Sequence, residues 1–211
     1  MADGETLRHA QTLPADRRHA RDLMPAVKAA CEAVGWPLRT VELLVVSAGP
    51  GSYTGLRVGI AAVKALVLTN NARLIALDSL EVVAGQAEPS ERIVAVADAQ
   101  QQRIYSAWFR RTEGQTPERL SQTQLQSTDE WLRSLTADDV VTGPAVERWI
   151  DRIPQACCIV DAADRLPKVE SLLALATRDL CANHFADLHS LEPIYLRPSA
   201  AEERSQGRRT A

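Results

Sequence analysis

Apolar and polar residues alternate along this chain in blocks whose spacing switches between a helical and a strand period. Over residues 16–34, Ala20, Leu23, Met24, Val27, Cys31 and Val34 share one helical face, and Arg17, Arg21, Lys28 and Glu32 lie largely off it. Pro25 inside this run predicts a kink or local break, because its ring removes an N–H and crowds the carbonyl one turn back. Gly35, followed by Pro37, predicts the stop. Residues 42–48 then form a short apolar run around Leu43-Leu44-Val45-Val46, read as a buried strand. Residues 56–68 lack proline and predict a second helix, apolar nearly all round and broken only by Arg57 and Lys64. A helix of that kind must be covered on more than one side. Its own sheet supplies one cover, and a further helix or a partner must supply the other.

The remaining pattern continues the alternation. Residues 73–77 read as a strand, and Asp78-Ser79 starts a helix to about residue 86 with a good N-cap arrangement. Glu88-Pro89-Ser90 is a polar break and marks a domain boundary. Residues 92–98 and 103–110 read as two strands around the polar turn at 99–102, and residues 119–125 as a third. Ser127-Thr128-Asp129-Glu130 is a capping box that opens a helix to about Leu135. Val140-Val141, a short helix with Trp149, a strand at 157–160, a helix at 169–185 and a short strand at 192–197 follow. The polar composition after Pro198 predicts a disordered tail over 198–211. Asp3-Gly4 is a hairpin-turn signal with only two residues before it, so one arm of that hairpin is expected to be missing. Strands alternating with helices predict an α/β architecture of two lobes, residues 1–88 and 89–197.

Between the strand at 42–48 and the second helix stands GPGSYTGLRVG, residues 49–59, with four glycines and one proline. A strand, a glycine turn and a helix commonly build anion sites, because helix-start N–H groups point outward. The loop is not a Walker A: Gly49 and Gly55 are wrongly spaced, and Leu56-Arg57 stands where Lys-Ser/Thr is needed. It is neither a dinucleotide fingerprint nor a nucleophile elbow around Ser52. A tight structural turn and a ligand contact through backbone N–H groups both remain open.

The histidines (His9, His19, His184, His189) form no metal-binding pair. His19, among Arg17, Arg18 and Arg21, reads as part of a solvated helix face. Asp98, at the end of an apolar strand, reads as a turn cap. The net charge of −3 offers no global basic field for nucleic acid. Cys31, Cys157, Cys158 and Cys181 form no CxxC pair and read as reduced core thiols, which suits a cytoplasmic protein. No apolar stretch suggests a membrane span.

Taken together, GPGSYTGLRVG, the following Lys64-Ala65-Leu66 and Leu77-Asp78-Ser79-Leu80 resemble the TsaB family, the dimerisation subunit of the bacterial tRNA threonylcarbamoyladenosine-forming complex. Supporting matches are the hairpin residues Asp98-Ala99-Gln100-Gln101-Gln102-Arg103-Ile104-Tyr105 and the stretch Pro193-Ile194-Tyr195-Leu196-Arg197. His19 with Leu23-Met24-Pro25 matches a further family pattern loosely. The resemblance covers residues 5–197 and implies the ASKHA (actin-like ATPase) fold, two lobes each with a mixed sheet and flanking helices. It implies a non-catalytic subunit that pairs with a TsaD-like catalytic subunit through the first two helices. Under this reading Leu23, Met24, Val27, Val58, Ala62 and Leu66 form the partner interface, and Gly49, Gly51, Gly55 and Gly59 a structural loop. No catalytic, cofactor or metal residue is implied. The catalytic relative holds a metal through histidines in the segment equivalent to residues 78–83, which contain none here.

The resemblance admits a TsaE-like ATPase as a further partner, tRNA contact only through the complex, and self-association in isolation. An ATP-dependent phosphotransferase of the same fold and a metallopeptidase-like protein are the rival readings. The family's first strand, ending in Asp-Thr-Ser, and the strand before the Asp-Gly turn have no counterpart here, so the first lobe is expected to be incomplete. Central strands cannot be lost without exposing sheet edges and core, which favours a start placed too late over a natural truncation.

Overall fold

The computed structural model describes residues 1–13 and 19–194. The Asp3-Gly4 turn does close a hairpin: β1 (Ala2–Asp3) pairs antiparallel with β2 (Thr6–Leu7), Ala2 opposite Leu7. Two-residue arms suffice because the terminal ammonium donates to the His9 carbonyl at 2.6 Å and extends the pairing. Helix α1 (His19–Val34) runs unbroken through Pro25. Pro25 and Arg21 are both exposed, so the helical bond that proline removes lies at the solvent side of the helix, where its loss costs least. The helix stops where the Trp36 N–H donates to the Cys31 carbonyl at 2.9 Å. The side chain of His19 and the start of the 16–34 run lie outside the described residues.

Strand β3 (Leu43–Gly49), helix α2 (Tyr53–Asn70) and strand β4 (Arg73–Asp78) form one crossover unit, with β3 and β4 parallel. Alternation along the two strands sorts their side chains onto two faces. Leu44, Val46, Ala48, Leu74 and Ala76 meet Ile60, Val63 and Val67 of α2, together with Leu188, Leu191 and Ile194. Leu43, Val45, Ile75 and Leu77 meet Val82, Leu172, Leu175 and Leu180 on the other face. Among the described residues this sheet holds two strands, both parallel, rather than a mixed set.

Helix α3 (Ser79–Ala84) follows β4 directly; the Asp78 carboxylate caps it by accepting from the Leu80 N–H at 2.7 Å. Strands β5 (Ser90–Asp98) and β6 (Arg103–Arg111) then form an antiparallel pair. Strands β7 (Glu118–Arg119) and β8 (Gln124–Ser127) share the outer edge of β6. Helix α4 (Thr128–Ser134) opens on the full capping box of Ser127 and Glu130. Strands β9 (Val140–Thr142) and β10 (Cys158–Ile159), with α5 (Val146–Trp149) between them, add parallel to β5 and complete a mixed six-stranded sheet.

One face of this sheet (Ile93, Ala95, Ala97, Tyr105, Ala107, Phe109) receives Leu80, Val83 and Ala84 of α3. The other (Val94, Val96, Ile104) receives Trp131, Leu135, Val146, Ile153 and Cys157. Each fully buried Val, Leu, Ile or Phe side chain here contributes about 1.5–3 kcal/mol and each alanine methyl about 0.8 kcal/mol, so these faces fix the layer. Helix α3 belongs to both layers, because its Val82 faces the β3–β4 side.

Further expectations change toward the C-terminal half. The run at 119–125 is two strands with a break. Ser121 leaves the ladder, and its hydroxyl replaces a backbone acceptor for the Trp108 N–H at 3.0 Å. The last helix, α6 (Val169–Cys181), ends four residues early, with Asn183 in the left-handed region at φ 54°. Helix α6 and residues 186–194 also return to the β3–β4 sheet, so the second boundary of the two-lobe division is not a simple cut along the chain. Residues 192–194 carry no strand, and residues 195–211, including Tyr195, Leu196, Arg197 and the tail, lie outside the described residues. No helix among the described residues is long and apolar enough to cross a membrane.

All four cysteines are free, but Cys158 and Cys181 are exposed whereas Cys31 and Cys157 are buried. The expectation of four core thiols thus fails for two, because Cys158 faces outward from a strand at the sheet edge and Cys181 closes a helix. Burial pushes the Cys157 thiol above its usual range, and its Sγ donates to the Thr136 carbonyl at 3.2 Å. A thiol reagent near neutral pH is expected to label Cys158 and Cys181 rapidly. Cys31 and Cys157 should react only after unfolding; peptide mapping by mass spectrometry reads the pattern.

Candidate partner-binding face

The glycine loop sets where α2 begins. Gly49 ends β3 at φ +108°, and a Cβ there would lie 2.8 Å from Leu56 Cδ1. The turn therefore needs glycine both for its backbone and for the close approach of α2. The Gly49–Pro50 peptide is cis, and the Ser79 hydroxyl donates to the Pro50 carbonyl. Ser52 caps α2 by accepting from the Gly55 N–H at 3.3 Å. The other three glycines are not sterically forced. A Cβ at Gly51 would meet nothing within 4 Å, one at Gly55 would touch only Ser52, and one at Gly59 would sit 3.9 Å from Val46.

Helix α2 turns Ile60 inward at 5% exposure. Leu66 is also buried, at 8%, so of the six residues expected at an interface this one is taken up inside the chain. Val58 and Ala62 are half-buried, and Ala61 and Ala65 beside them are exposed. Leu68 stands 70% exposed at the end of the same helix. Helix α1 packs alongside α2. On α1 Cys31 is buried, Leu23 and Val27 are half-buried, and Met24 is 40% exposed. Tyr53, at 37%, lies at the start of α2 with the Arg57 guanidinium 4.3 Å from its ring centre. The charges along this surface are few: Arg21 bonded to Asp22, the Lys28–Glu32 pair at 3.8 Å, Arg57 and Lys64. Sheet burial takes one side of α2, and α1 takes only part of the rest. What remains exposed on this side includes Ala61, Ala65 and Leu68 of α2 and Met24 of α1, small and aliphatic side chains that make it the candidate face.

The other singled-out residues take structural or surface positions. Asp98 accepts from the Gln100 N–H at 2.8 Å, as a turn cap should, and also pairs with Arg148 at 2.6 Å. His184 and His189 are exposed. Among the described residues no group of three His, Cys, Asp or Glu side chains could hold a metal ion. Sequence reasoning missed the role of Asp78 beyond capping. That carboxylate also accepts from Arg119 at 2.7 Å and from the Thr123 hydroxyl at 3.2 Å. Only its capping position before Leu80 was visible as a signal.

Residues 13–151 match the family model described as TsaD: tRNA N6-adenosine threonylcarbamoyltransferase. The tRNA threonylcarbamoyladenosine biosynthesis protein TsaB of Escherichia coli is 26% identical, over 98% of this chain and 91% of that protein. The protein of the same name from Bacillus subtilis is 26% identical, over 88% of this chain and 82% of its own length. Among solved structures, YeaZ from Pseudomonas aeruginosa superposes with a TM-score of 0.76 at 26% identity, covering 89% of this chain and 88% of its own.

Proposed function

The chain belongs to the TsaB family, has the ASKHA-type fold and acts in tRNA threonylcarbamoyladenosine biosynthesis; from that premise we propose that it is a non-catalytic subunit that pairs with a TsaD-like catalytic subunit through its α1–α2 face. In this role it supports transfer of the threonylcarbamoyl group to the adenosine next to the anticodon without itself touching the reacting atoms. One observation carries the reading: Leu68 at 70% and Met24 at 40% exposure stand near the half-buried Val58 and Ala62 on the side of the helix pair turned away from the β3–β4 sheet. The interface then comprises Leu23, Met24, Val27, Val58, Ala62 and Leu68, with Leu66 supporting it from within. The net charge of −3 leaves tRNA to be gripped by the assembled complex rather than by this subunit alone.

The test is the double substitution Val58→Glu and Ala62→Glu, co-expressed with the catalytic subunit. Two unpaired carboxylates in an apolar interface are expected to weaken pairing by at least about a hundredfold. Both positions are only half-buried within this chain, so the melting transition should stay cooperative. Undiminished co-purification would place the interface elsewhere.

A further inference from the structure

Two layers of this protein meet at α3, and a three-residue polar link crosses the junction beside it. Residues 119–125 read as one strand in sequence, yet the strand is interrupted at 120–123. Arg119, at one end of the break, and Thr123, at the other, converge on one oxygen of Asp78. Arg119 Nη2 lies 2.7 Å from Asp78 Oδ2, and the Thr123 hydroxyl donates to the same oxygen at 3.2 Å. Arg119 Nη1 donates to Thr123 Oγ1 at 3.2 Å and closes the triangle. The guanidinium is further held over the Phe109 ring, 4.7 Å from its centre, and Phe109 is fully buried in the six-stranded sheet. The other oxygen of Asp78 caps α3. The next residue, Ser79, holds the Pro50 carbonyl in the glycine loop.

We infer that Asp78, Arg119 and Thr123 form a clasp that fixes the angle between the β3–β4 layer and the six-stranded sheet. Apolar contact through α3 is non-directional and by itself permits sliding. A charge-assisted link between fixed groups is directional and does not. Asp78 is the last residue of β4, opposite Gly49 in the pairing register, so the clasp acts where the glycine loop launches α2. It thereby sets how the α1–α2 face stands relative to the second layer. That last consequence rests on the partner reading above; the clasp itself does not.

The two naturally exposed cysteines allow a direct measurement on the full chain. Cys181 closes α6, which packs on the first layer, and Cys158 lies in β10 of the second. Spin labels on this pair should give one narrow distance distribution in the parent protein. Arg119→Met keeps an aliphatic stem over Phe109 but removes the charge, and it should broaden or shift that distribution. Thr123→Val removes only one bond to Asp78 and should do so to a smaller degree, which keeps the test open if Arg119→Met does not fold. A broad parent distribution, or one unchanged in a folded variant, overturns the clasp. In a pull-down with the catalytic subunit, Arg119→Met is expected to weaken binding several-fold. Unchanged binding with a broadened distribution removes the link to the partner face, and the Val58→Glu, Ala62→Glu result judges that face separately.

Discussion

Gly143→Ala is expected to destabilise the fold by about 2–5 kcal/mol. Gly143 follows β9 at φ +110°, a backbone that side chains rarely adopt. A Cβ there would stand 2.2 Å from the Val96 carbonyl oxygen, 2.8 Å from its nitrogen and 3.0 Å from its carbonyl carbon. Those atoms belong to the backbone of β5, the strand bonded to both β6 and β9, and Val96 is fully buried. They cannot swing aside as the tip of a side chain can. Strain of about 1–2 kcal/mol for the backbone adds to about 1–3 kcal/mol or more for overpacking. A domain of this kind is stable by only about 5–15 kcal/mol. Denaturant unfolding should therefore show a loss of about 2–5 kcal/mol, a large share of that total. Gly49→Ala is the natural comparison. Its Cβ would meet Leu56 Cδ1, the end of a flexible side chain, and should cost about 1–2 kcal/mol. If the two variants unfold at the same denaturant concentration, the close approach of residue 143 to β5 is wrong.

Asp139→Ala has the second largest expected effect. Asp139 is fully buried at the start of β9. Its carboxylate accepts from the Thr136 N–H at 2.6 Å, the Thr136 hydroxyl at 3.1 Å and Arg92 Nε at 2.8 Å. The hydrogen bond to Asp139 holds the Arg92 guanidinium above its ordinary range. Alanine removes the acceptor for all three donors and leaves a void between the turn and the sheet. Arg92 is 43% exposed and can turn to water, and the Thr136 turn is itself exposed. The cost therefore falls on the three lost bonds and the void left by a fully buried side chain. The expected loss is about 3 kcal/mol. Asp139→Asn keeps one carbonyl acceptor and should lose about half as much. Equilibrium unfolding of both variants reads this directly. A value within about 0.5 kcal/mol of the parent for alanine would mean that the carboxylate is not the organiser of this turn.

The partner face illustrates how far sequence reached. The spacing of Leu23, Met24 and Val27 and the nearly continuous apolar run of α2 were visible in the chain, because burial on a helix repeats with its turn. Which member of that run turns inward was not visible. Leu66 and Leu68 are the same residue type two positions apart, yet one is 8% and the other 70% exposed. On a helix that is apolar all round, period alone does not choose the face. The neighbours choose it, here the β3–β4 sheet and α1.

The same division holds for the fold. Local chemistry determined the elements: the glycine turn before α2, the Asp78 cap, the capping box at Ser127 and the hairpin at residues 99–102 lie where short-range preferences put them. Tertiary structure decided what each element touches. The return of α6 to the first sheet and the convergence of Arg119 and Thr123 on Asp78 join residues about 40 or more positions apart. The break at residues 120–123 is set by contacts with Trp108 on the neighbouring strand. Such contacts depend on how packed layers meet in space, and no spacing within a single element encodes them.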